Sequence, residues 1–365
     1  MTKPKSSSTD PMTSDDVIRL PPLPPATELR QVGVGAAPID LTALGERFTV
    51  GRVPRPTDPP ARADVRLPST QVSLVHAEII RHATGWRVRD LGSSNGTYND
   101  EGEDIKGEVA MLPGRIVRFG DTRVLPLNKD QCELRERLRW SMGLDAHRDV
   151  DEAINEIARN HPIALIGPPG CEQEELARAI HAASPRSKLP FYVVPDERTS
   201  RRQLVAHRGG TVFLDLGTVK MRHLVGQFVQ AMLGIDREPP LYLRPIIAAR
   251  HERDVRRLFL AHTPLSLPTL TLPAVRSRQD DIPRMLDDLM RRAGRRLAEI
   301  EPAARNALLR RDWRQNLEEI EKGAAILAAW IEEKRSGRAA AARLGISHET
   351  VNKFLRSIFR DLGDD

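Results

Sequence analysis

The chain contains very little cysteine and no long apolar run. Only two of its 365 residues are cysteines. Cys132 and Cys171 lie far apart and outside any metal-ligand spacing, which argues against a disulfide framework and against a zinc site. No apolar stretch approaches the roughly 20 residues needed to span a bilayer, and the N-terminus lacks the hydrophobic core of a signal peptide. We therefore expect a cytoplasmic protein with no membrane partner and no metal.

The chain also lacks a strong excess of charge of either sign. It has 56 Lys and Arg residues against 50 Asp and Glu residues, a formal net charge of +6. Because this excess is mild, only local clustering of basic residues could indicate a nucleic-acid surface. Arginines cluster in residues 291–314, where they could face phosphates, and a solvated helix face is the alternative explanation. The length allows two or three domains of roughly 100–200 residues each.

The first 26 residues are rich in Ser, Thr, Pro and Asp. Such a segment cannot bury enough apolar surface to fold alone, so we expect residues 1–26 to be a disordered tail. Thr9 or Thr13 could carry a phosphate and dock into a neighbouring molecule. A tail that is simply solvated is the alternative.

Three separated pieces of the chain supply the groups of one phosphate-binding site. They are Gly51-Arg52, Ser73-Leu74-Val75-His76 and the run 90–98, DLGSSNGTY. A phosphate with about two negative charges is best held by a guanidinium, short hydroxyls and backbone N–H groups from tight loops. Arg52, Ser73, Ser94 and Asn95 provide that set, so we predict a phosphothreonine pocket.

Three residues are predicted to have structural roles in this pocket: Gly51, His76 and Gly96. Gly96 allows the loop to turn with a positive φ, and His76 is predicted to be a buried brace between loops rather than a ligand. Alternating stretches such as 47–50 and 86–89 are typical of half-buried strands.

With these motifs, residues 27–127 resemble a forkhead-associated (FHA) domain. The resemblance implies a small β-sandwich that binds phosphothreonine peptides through its loops. Leu74 stands where many members carry a polar or basic residue that adds a phosphate contact, which implies a reduced affinity or an altered peptide preference. The alternative is a sandwich that has kept its turns and lost its ligand.

The middle of the chain has the order of strand, glycine loop and helix. Residues 161–170 predict a buried strand that enters a loop containing Gly167 and Gly170, and a helical pattern follows. Residues 209–215 predict a second buried strand, which ends in an acid, Asp215, as a Walker B strand does.

The strings GPPGCEQEELARAIH, GGTVFLDL, LTLPAVRSRQDDIP and DWRQNLEEIEK occur in the order of the AAA+ domain of sigma-54 enhancer-binding activators. This resemblance implies a parallel α/β sheet over residues 145–285, followed by a helical lid over 286–335. Residues 128–144 are then predicted to be a linker.

The residues that a phosphate loop needs for catalysis are replaced. A working loop has a Gly, a Lys on the phosphates and a Ser or Thr on magnesium. These positions hold Glu172, Gln173 and Glu174, and two carboxylates would repel a triphosphate. Asp215 remains, but Leu216 stands where the family has the Glu that polarises water.

Other parts of the family's machinery are also altered. The polar sensor falls near Arg250 and His251, the lid's arginine sensor is replaced around Glu318, the arginine-finger segment 258–268 has no arginine, and 192–208 has no GAFTGA tip. We predict a pseudo-ATPase without a cofactor, with a degenerate site at Gly167, Gly170, Gln173 and Asp215. A true ATP-dependent activator is the alternative, but the chain has no G-x-x-x-x-G-K-[ST] string.

Residues 337–356 predict two short helices around a glycine turn. Gly345 suits a left-handed C-cap and Ser347 suits the next N-cap. The string AAARLGIS makes residues 336–365 resemble the Fis-type helix-turn-helix of the same activators. The residues implied in DNA contact are His348, Thr350, Asn352, Lys353 and Arg356. A helical hairpin that merely ends the lid is the alternative.

Together the patterns predict a multidomain, phosphothreonine-responsive DNA-binding transcription regulator with a catalytically inactive AAA+ scaffold. Its expected partners are a phosphothreonine-bearing protein and DNA, and the scaffold could also bind a second copy of the chain. A phospho-dependent signalling scaffold that does not bind DNA is the principal alternative.

Overall fold

The computed structural model describes residues 20–60, 62–195, 199, 201–217, 241–259 and 267–359. Thr9 and Thr13 lie outside these residues. The N-terminal strands are β1 (Glu28–Gln31), β2 (Ile39–Asp40), β3 (Arg47–Arg52), β4 (Val65–Leu67), β5 (Ala77–His82), β6 (Gly85–Asp90), β7 (Thr97–Tyr98), β8 (Glu108–Met111), β9 (Val117–Phe119) and β10 (Thr122–Leu127). They form two five-stranded sheets, with the orders β2-β1-β10-β9-β7 and β4-β3-β5-β6-β8. The predicted β-sandwich is confirmed.

Inward-pointing residues from both sheets fill the interior of the sandwich. Phe48 and Ile79 come from one sheet and Phe119 from the other, and all three are almost fully buried. Phe48 meets Trp86 edge to face, with ring centroids 5.6 Å apart. The Trp86 Nε1–H donates to Ala26 O at 2.9 Å, which satisfies the polar atom of a buried ring.

Two helices connect the sandwich to the next unit, α1 (Lys129–Met142) and α2 (His147–Ala158). Asn128 and Gln131 form a capping box at the start of α1, since each side chain accepts the other residue's N–H. Residues 128–144, for which the sequence predicts a linker, are therefore a packed helix and its cap. This packed helix connects the sandwich to the unit that follows.

A single hydrophobic cluster joins the sandwich, both connecting helices and the unit that follows them. Its members include Leu125, Leu127, Leu134, Leu138, Ile154, Leu165 and Ile180. Burial of one such side chain contributes roughly 1.5–3 kcal/mol. The sandwich is therefore fixed to its neighbour by a shared core.

Polar contacts fix the same junction. Arg135 Nε donates to Asp151 Oδ1 at 2.8 Å, and these side chains are 1% and 0% exposed. The other carboxylate oxygen of Asp151 accepts the Gly33 N–H at 2.9 Å. Asn155 Oδ1 accepts the Ile116 N–H at 2.9 Å. The buried charge of Asp151 thus has partners both in α1 and in the sandwich.

The central unit is a parallel sheet with helices. Its strands are β11 (Ile163–Ile166), β12 (Phe191–Val193), β13 (Thr211–Asp215), β14 (Arg244–Ala249) and β15 (Thr269–Thr271), and its helices are α3 (Gln173–Ala182), α4 (Arg201–Val205) and α5 (Glu252–Phe259). The strand order is β12-β13-β14-β11-β15, and each neighbouring pair is parallel. The predicted α/β sheet is confirmed. The strand order brings Gly167 and Asp215 to the same edge, where the carboxyl ends of the strands lie.

The last unit is entirely helical. Its helices are α6 (Ile282–Arg292), α7 (Pro302–Leu309), α8 (Asn316–Glu332), α9 (Gly337–Leu344) and α10 (His348–Arg356). One hydrophobic cluster contains residues from all five helices, among them Met285, Leu308, Leu327, Ala341 and Leu355. The predicted lid (286–335) and the predicted helix-turn-helix (336–365) therefore share one core as far as residue 359.

Gly323 allows the last helix to pack directly on the backbone of α8. A Cβ at this position would lie 2.8 Å from Phe354 Cζ and 3.2 Å from Trp313 Cζ3. Any larger side chain would displace rings that are themselves part of the core. Contact between α8 and α10 thus depends on the absence of a side chain at this position.

None of the helices in the described part of the chain is both long enough and apolar enough to cross a membrane.

Candidate functional site

The end of β3 presents the first predicted phosphate contact. Gly51 and Arg52 are the last residues of β3, and the Arg52 N–H donates to Ser73 O at 3.0 Å. A Cβ on Gly51 would lie 2.1 Å from Leu74 O, so only glycine allows this close approach. The strand end is therefore held against the loop that contains Ser73.

Ser73, His76, Ser94 and Gly96 form a hydrogen-bonded group between two loops. The Ser94 N–H donates to Ser73 Oγ at 3.1 Å, and the Ser73 N–H donates to His76 Nδ1 at 3.0 Å. His76 Nε2 lies 3.1 Å from Gly96 O, which assigns the ring proton to Nε2. Burial of the imidazole lowers the pKa of His76 and favours the neutral form. His76 is thus a neutral bridge between the two loops.

Asn95 and Gly96 shape the tip of the second loop. Asn95 Nδ2 donates to Gln71 O at 2.7 Å and to Gln71 Oε1 at 3.1 Å. Gly96 has a φ of +71°, and a Cβ there would lie 2.7 Å from Tyr98 Oη. Ser94 and Asn95 are exposed, so the loops present a backbone amide, a hydroxyl and a carboxamide at one end of the sandwich.

Asp90 organises this loop, although the sequence patterns assign it no role. One carboxylate oxygen accepts the N–H groups of Gly92 and Ser93, each at 2.8 Å. The other accepts the hydroxyls of Ser93 at 2.7 Å and Thr97 at 2.5 Å. Burial opposes ionisation, but the hydrogen bonds from Thr97, Ser93 and Gly92 hold the pKa of Asp90 below its usual range. Asp at the start of a turn commonly accepts N–H groups of the following residues, and this was the sequence signal for the role of Asp90.

Asp58 was also missed by sequence reasoning. Its carboxylate binds the Arg52 guanidinium through two hydrogen bonds, Nη2–H to Oδ1 at 2.7 Å and Nη1–H to Oδ2. The hydrogen bonds from Arg52 and from the Arg55 N–H hold the pKa of Asp58 far below its usual range. Asp58 lies in a proline-rich loop six residues beyond Arg52, where no periodic pattern marks it.

The second predicted site is the loop between β11 and α3. Gln173 begins α3, and its Nε2 donates back to Gly167 O at 3.2 Å. Glu174 is about half exposed and pairs with Arg178 one turn later, Oε1 to Nη2 at 2.6 Å. Gln173 therefore contacts the loop where a lysine would extend toward phosphates. Asp215 accepts the Gly217 N–H at 2.7 Å at the end of β13.

The start of α8 packs directly on this loop. Gly170 O accepts the N–H groups of Leu317 at 3.0 Å and Glu318 at 3.3 Å. Asn316 Nδ2 donates to Pro169 O at 2.7 Å. A Cβ on Gly170 would lie 2.1 Å from Gln315 O, so this contact needs glycine. Unpaired N–H groups at a helix start suit an anion, and here a loop carbonyl satisfies them.

The caps of the two C-terminal helices lie where the sequence predicts them. Gly345 has a φ of +65° and ends α9 in the left-handed conformation. Ser347 Oγ accepts the Thr350 N–H at 3.2 Å at the start of α10. The angle between the helices is fixed by Ala340, Val351 and Leu355, which are buried together.

The residues implied in DNA contact differ in their exposure on α10. Lys353 and Arg356 are exposed, whereas His348, Thr350 and Asn352 are half-buried. A Cβ on Gly337 would lie 2.6 Å from Asn352 Oδ1, so Asn352 is turned toward the start of α9. The DNA contact of Asn352 stays a prediction. Thr350 Oγ1 lies 2.7 Å from Ser347 Oγ and takes part in the cap.

Comparison with known proteins gives two findings. The profile of the FHA domain matches residues 48–120. The FHA domain of CT664 from Chlamydia trachomatis is 28% identical, over 28% of this chain and 95% of that chain, with a TM-score of 0.23.

The other finding concerns two curated relatives. The transcriptional regulatory protein ZraR of Salmonella typhimurium is 26% identical over 47% of this chain and 49% of its own length. The DNA-binding transcriptional regulator NtrC of Klebsiella pneumoniae is 28% identical over 60% of this chain and 54% of its own length. The chain is an FHA-containing relative of the NtrC-like regulators. It spans about half the length of the curated relatives that it matches.

Several altered positions of the AAA+ domain can be placed. Arg250, His251 and Glu318 are exposed, and Leu216 is partly buried. Part of 258–268 and part of 192–208 lie outside the described residues.

The arginines of 291–314 are not one free basic surface. Arg291 and Arg292 pair with Asp287 and Asp288, at 3.1 Å and 2.5 Å. Arg311 Nη2 pairs with Glu319 Oε1 at 2.8 Å, and its Nη1 donates to Ser357 Oγ at 2.6 Å. These contacts favour a structural role for the named arginines.

Glu172 carries the strongest electrostatic stress in the degenerate loop. Its φ of +54° is uncommon for a residue with a side chain. Burial, and then the nearby carboxylates of Glu321 and Glu175, raise the pKa of Glu172 to about 7. The loop and α8 therefore fit together best when one carboxyl carries a proton.

We predict that Glu172→Gln removes the decrease in folding stability that the ionisation of Glu172 causes as the pH rises. A raised pKa contributes stability below the unfolded value, near 4.3, and that stability is lost as the pH rises through about 7. At pH 8 the variant should therefore have the higher Tm, by about 2–4 °C per kcal/mol gained, and the difference should be much smaller at pH 5. Thermal unfolding from pH 5 to 8 measures this.

Glu174→Gln is the matched control. Its carboxylate is more exposed and paired with Arg178, so this variant should show no gain at pH 8. Equal behaviour of the two variants would show that Glu172 is not under electrostatic stress.

Proposed function

We propose that the protein is a phosphothreonine-responsive, DNA-binding transcription regulator whose nucleotide-binding fold is a catalytically inactive scaffold. The observation that carries the proposal is the group formed by Ser73, His76, Ser94 and Gly96 beside Arg52. FHA domains recognise phosphorylated motifs with such loops. Similarity to ZraR, a transcriptional regulatory protein, and to NtrC, a DNA-binding transcriptional regulator, supports the remainder.

The phosphopeptide end offers complementary groups for a dianion. Arg52 supplies a positive charge, Ser73 a hydroxyl and Asn95 a carboxamide, all on loops joined by hydrogen bonds. Since the loops are held by Asp90 and His76, little ordering is needed when a ligand binds. Binding should therefore depend on phosphate contacts rather than on folding of the loops.

Arg52→Ala should weaken binding of a phosphothreonine peptide by about tenfold or more. The reason is that a charge-assisted hydrogen bond contributes roughly 1.5–3 kcal/mol. A degenerate phosphothreonine peptide library selects the ligand, and titration of the selected peptide measures affinity. Arg47→Ala is the control, because Arg47 starts the same strand and pairs with Glu78. Equal affinity of wild type and Arg52→Ala would show that Arg52 does not bind the phosphate and would overturn this assignment of the pocket.

Two observations support the inactive scaffold. Gln173 and the acidic residues Glu172 and Glu174 stand at the loop positions that hold phosphates and magnesium. The carbonyl of Gly170 accepts N–H groups from the start of α8, so the loop itself satisfies these donors of the lid. The domain then serves to connect the FHA domain to the C-terminal helices.

The purified protein should show neither ATP binding at micromolar concentration nor ATP turnover above background. Calorimetric titration with Mg-ATP and a phosphate-release assay measure these two properties. Asp215→Ala is the informative comparison, since it removes the remaining acid at the end of β13. Turnover that is present in wild type and lost in Asp215→Ala would establish an active ATPase.

DNA binding is proposed for the exposed face of α10. Lys353 and Arg356 lie on that face, and Ser336 and Ser347 cap α9 and α10 in the order of a helix-turn-helix. A single such element makes few contacts, so we propose that two copies of the chain bind two half-sites. A phospho-dependent scaffold without DNA binding is the second candidate, supported by the half-buried position of Asn352.

Lys353→Ala should weaken binding to mixed-sequence duplex DNA and reduce the salt slope by about one, because one phosphate contact and its counterion are lost. Fluorescence anisotropy at several salt concentrations measures the slope. The control is Lys188→Ala, an exposed lysine of the central unit, which should leave the slope unchanged. Absence of DNA binding by wild type at low salt would favour the scaffold.

A further inference from the structure

The phosphate-binding arginine is already paired with an anion from its own domain. Arg52 Nη1 and Nη2 both donate to Asp58, and Nη1 also lies 3.3 Å from Val53 O. The side chains of Arg52 and Asp58 are only 15% and 12% exposed. The two terminal nitrogens of the guanidinium, which form a fork suited to carboxylate or phosphate, are therefore occupied.

The loop that carries Asp58 is restricted in conformation. The Asp58 N–H donates to Arg55 O at 3.0 Å, and the Arg55 N–H donates back to Asp58 Oδ2. Four prolines flank these residues: Pro54, Pro56, Pro59 and Pro60. Proline fixes φ and reduces the number of conformations that the loop can adopt. The carboxylate is therefore held near Arg52 at a high effective concentration.

We propose that Asp58 is an internal competitor that a phosphothreonine ligand must displace from Arg52, and that it thereby sets the affinity of the pocket. This inference rests on the proposed phosphopeptide function. A phosphate brings about two charges and three acceptor oxygens, and it can also bind the Ser94 and Asn95 loop, so it gains contacts that Asp58 does not make. Because Asp58 and a bound phosphate would repel each other, the loop moves away when the ligand binds.

The same competition applies to acidic peptides that lack phosphate. A peptide carboxylate offers Arg52 the same interaction that Asp58 already provides, and it must also lose translational freedom. Such a peptide therefore gains little by displacing Asp58. The internal pair lowers the affinity of both ligands, so that only a ligand with additional contacts, such as a phosphate, binds well in its presence.

The test compares full-length wild type with Asp58→Asn and with Asp58→Ala. Each protein is titrated with the phosphothreonine peptide selected from the degenerate library, and with the same peptide carrying glutamate at that position. We expect both variants to bind the phosphopeptide about tenfold more tightly. We also expect the glutamate peptide to bind both variants about tenfold more tightly than it binds wild type, and in each protein more weakly than the phosphopeptide.

Asp64→Asn is the matched control. Asp64 follows Asp58 in the chain before β4 begins. Its carboxylate accepts hydrogen bonds from the N–H and hydroxyl of Thr49 rather than from Arg52. A general charge effect would tighten binding equally in this variant and in Asp58→Asn, which would overturn the proposal. Unfolding midpoints of all variants show whether the domain remains folded.

Two other outcomes are distinguishable. Weaker or unchanged phosphopeptide binding by both Asp58 variants, with wild type binding well, would show that Asp58 positions Arg52 or is neutral, and the inference would fail alone. Selection of no phosphopeptide by wild type and by both variants would instead remove the phosphopeptide function itself.

Discussion

The buried pair of Arg135 and Asp151 determines how the units of this chain are joined. A carboxylate removed from water is very unfavourable unless every strong partner is present. Asp151 has its partners in two places, Arg135 on α1 and the Gly33 N–H in the FHA domain. Either unit alone would leave a charge or a donor unsatisfied. The pair therefore specifies one arrangement of FHA domain and connecting helices, and the shared apolar cluster supplies most of the stability.

One consequence concerns signal transfer from the phosphopeptide end. The connecting helices are part of a continuous core, so the FHA domain is not attached by a flexible spacer. A ligand that changes the loop around Asp58 acts on a body that is mechanically continuous with the central sheet. Coupling between the phosphopeptide site and the rest of the chain then requires a packed element with two discrete arrangements, rather than free rotation of the FHA domain.

Local features were predictable from the sequence because local rules decide them. The glycines at 51 and 96, the caps at Gly345 and Ser347, and the alternation in β3 all follow from backbone or pleat geometry. The packed helix α1 was missed because its exposed face is rich in charge and only a few apolar residues, such as Leu134 and Leu138, face inward. Asp58 was missed because only the conformation of the loop that follows β3 brings its carboxylate to Arg52, and no sequence pattern predicts that conformation.

The shared core of the helical unit has a mechanical meaning. Phe354 of α10 packs on the backbone of α8 at Gly323. At the start of α8, the Leu317 N–H donates to the loop between β11 and α3. A tilt of α8 at that loop would also displace α10, because the two helices pack against each other at Gly323 and Phe354. The lid and the helix that carries Lys353 are thus parts of one packed unit, so a change in the position of one changes the position of the other.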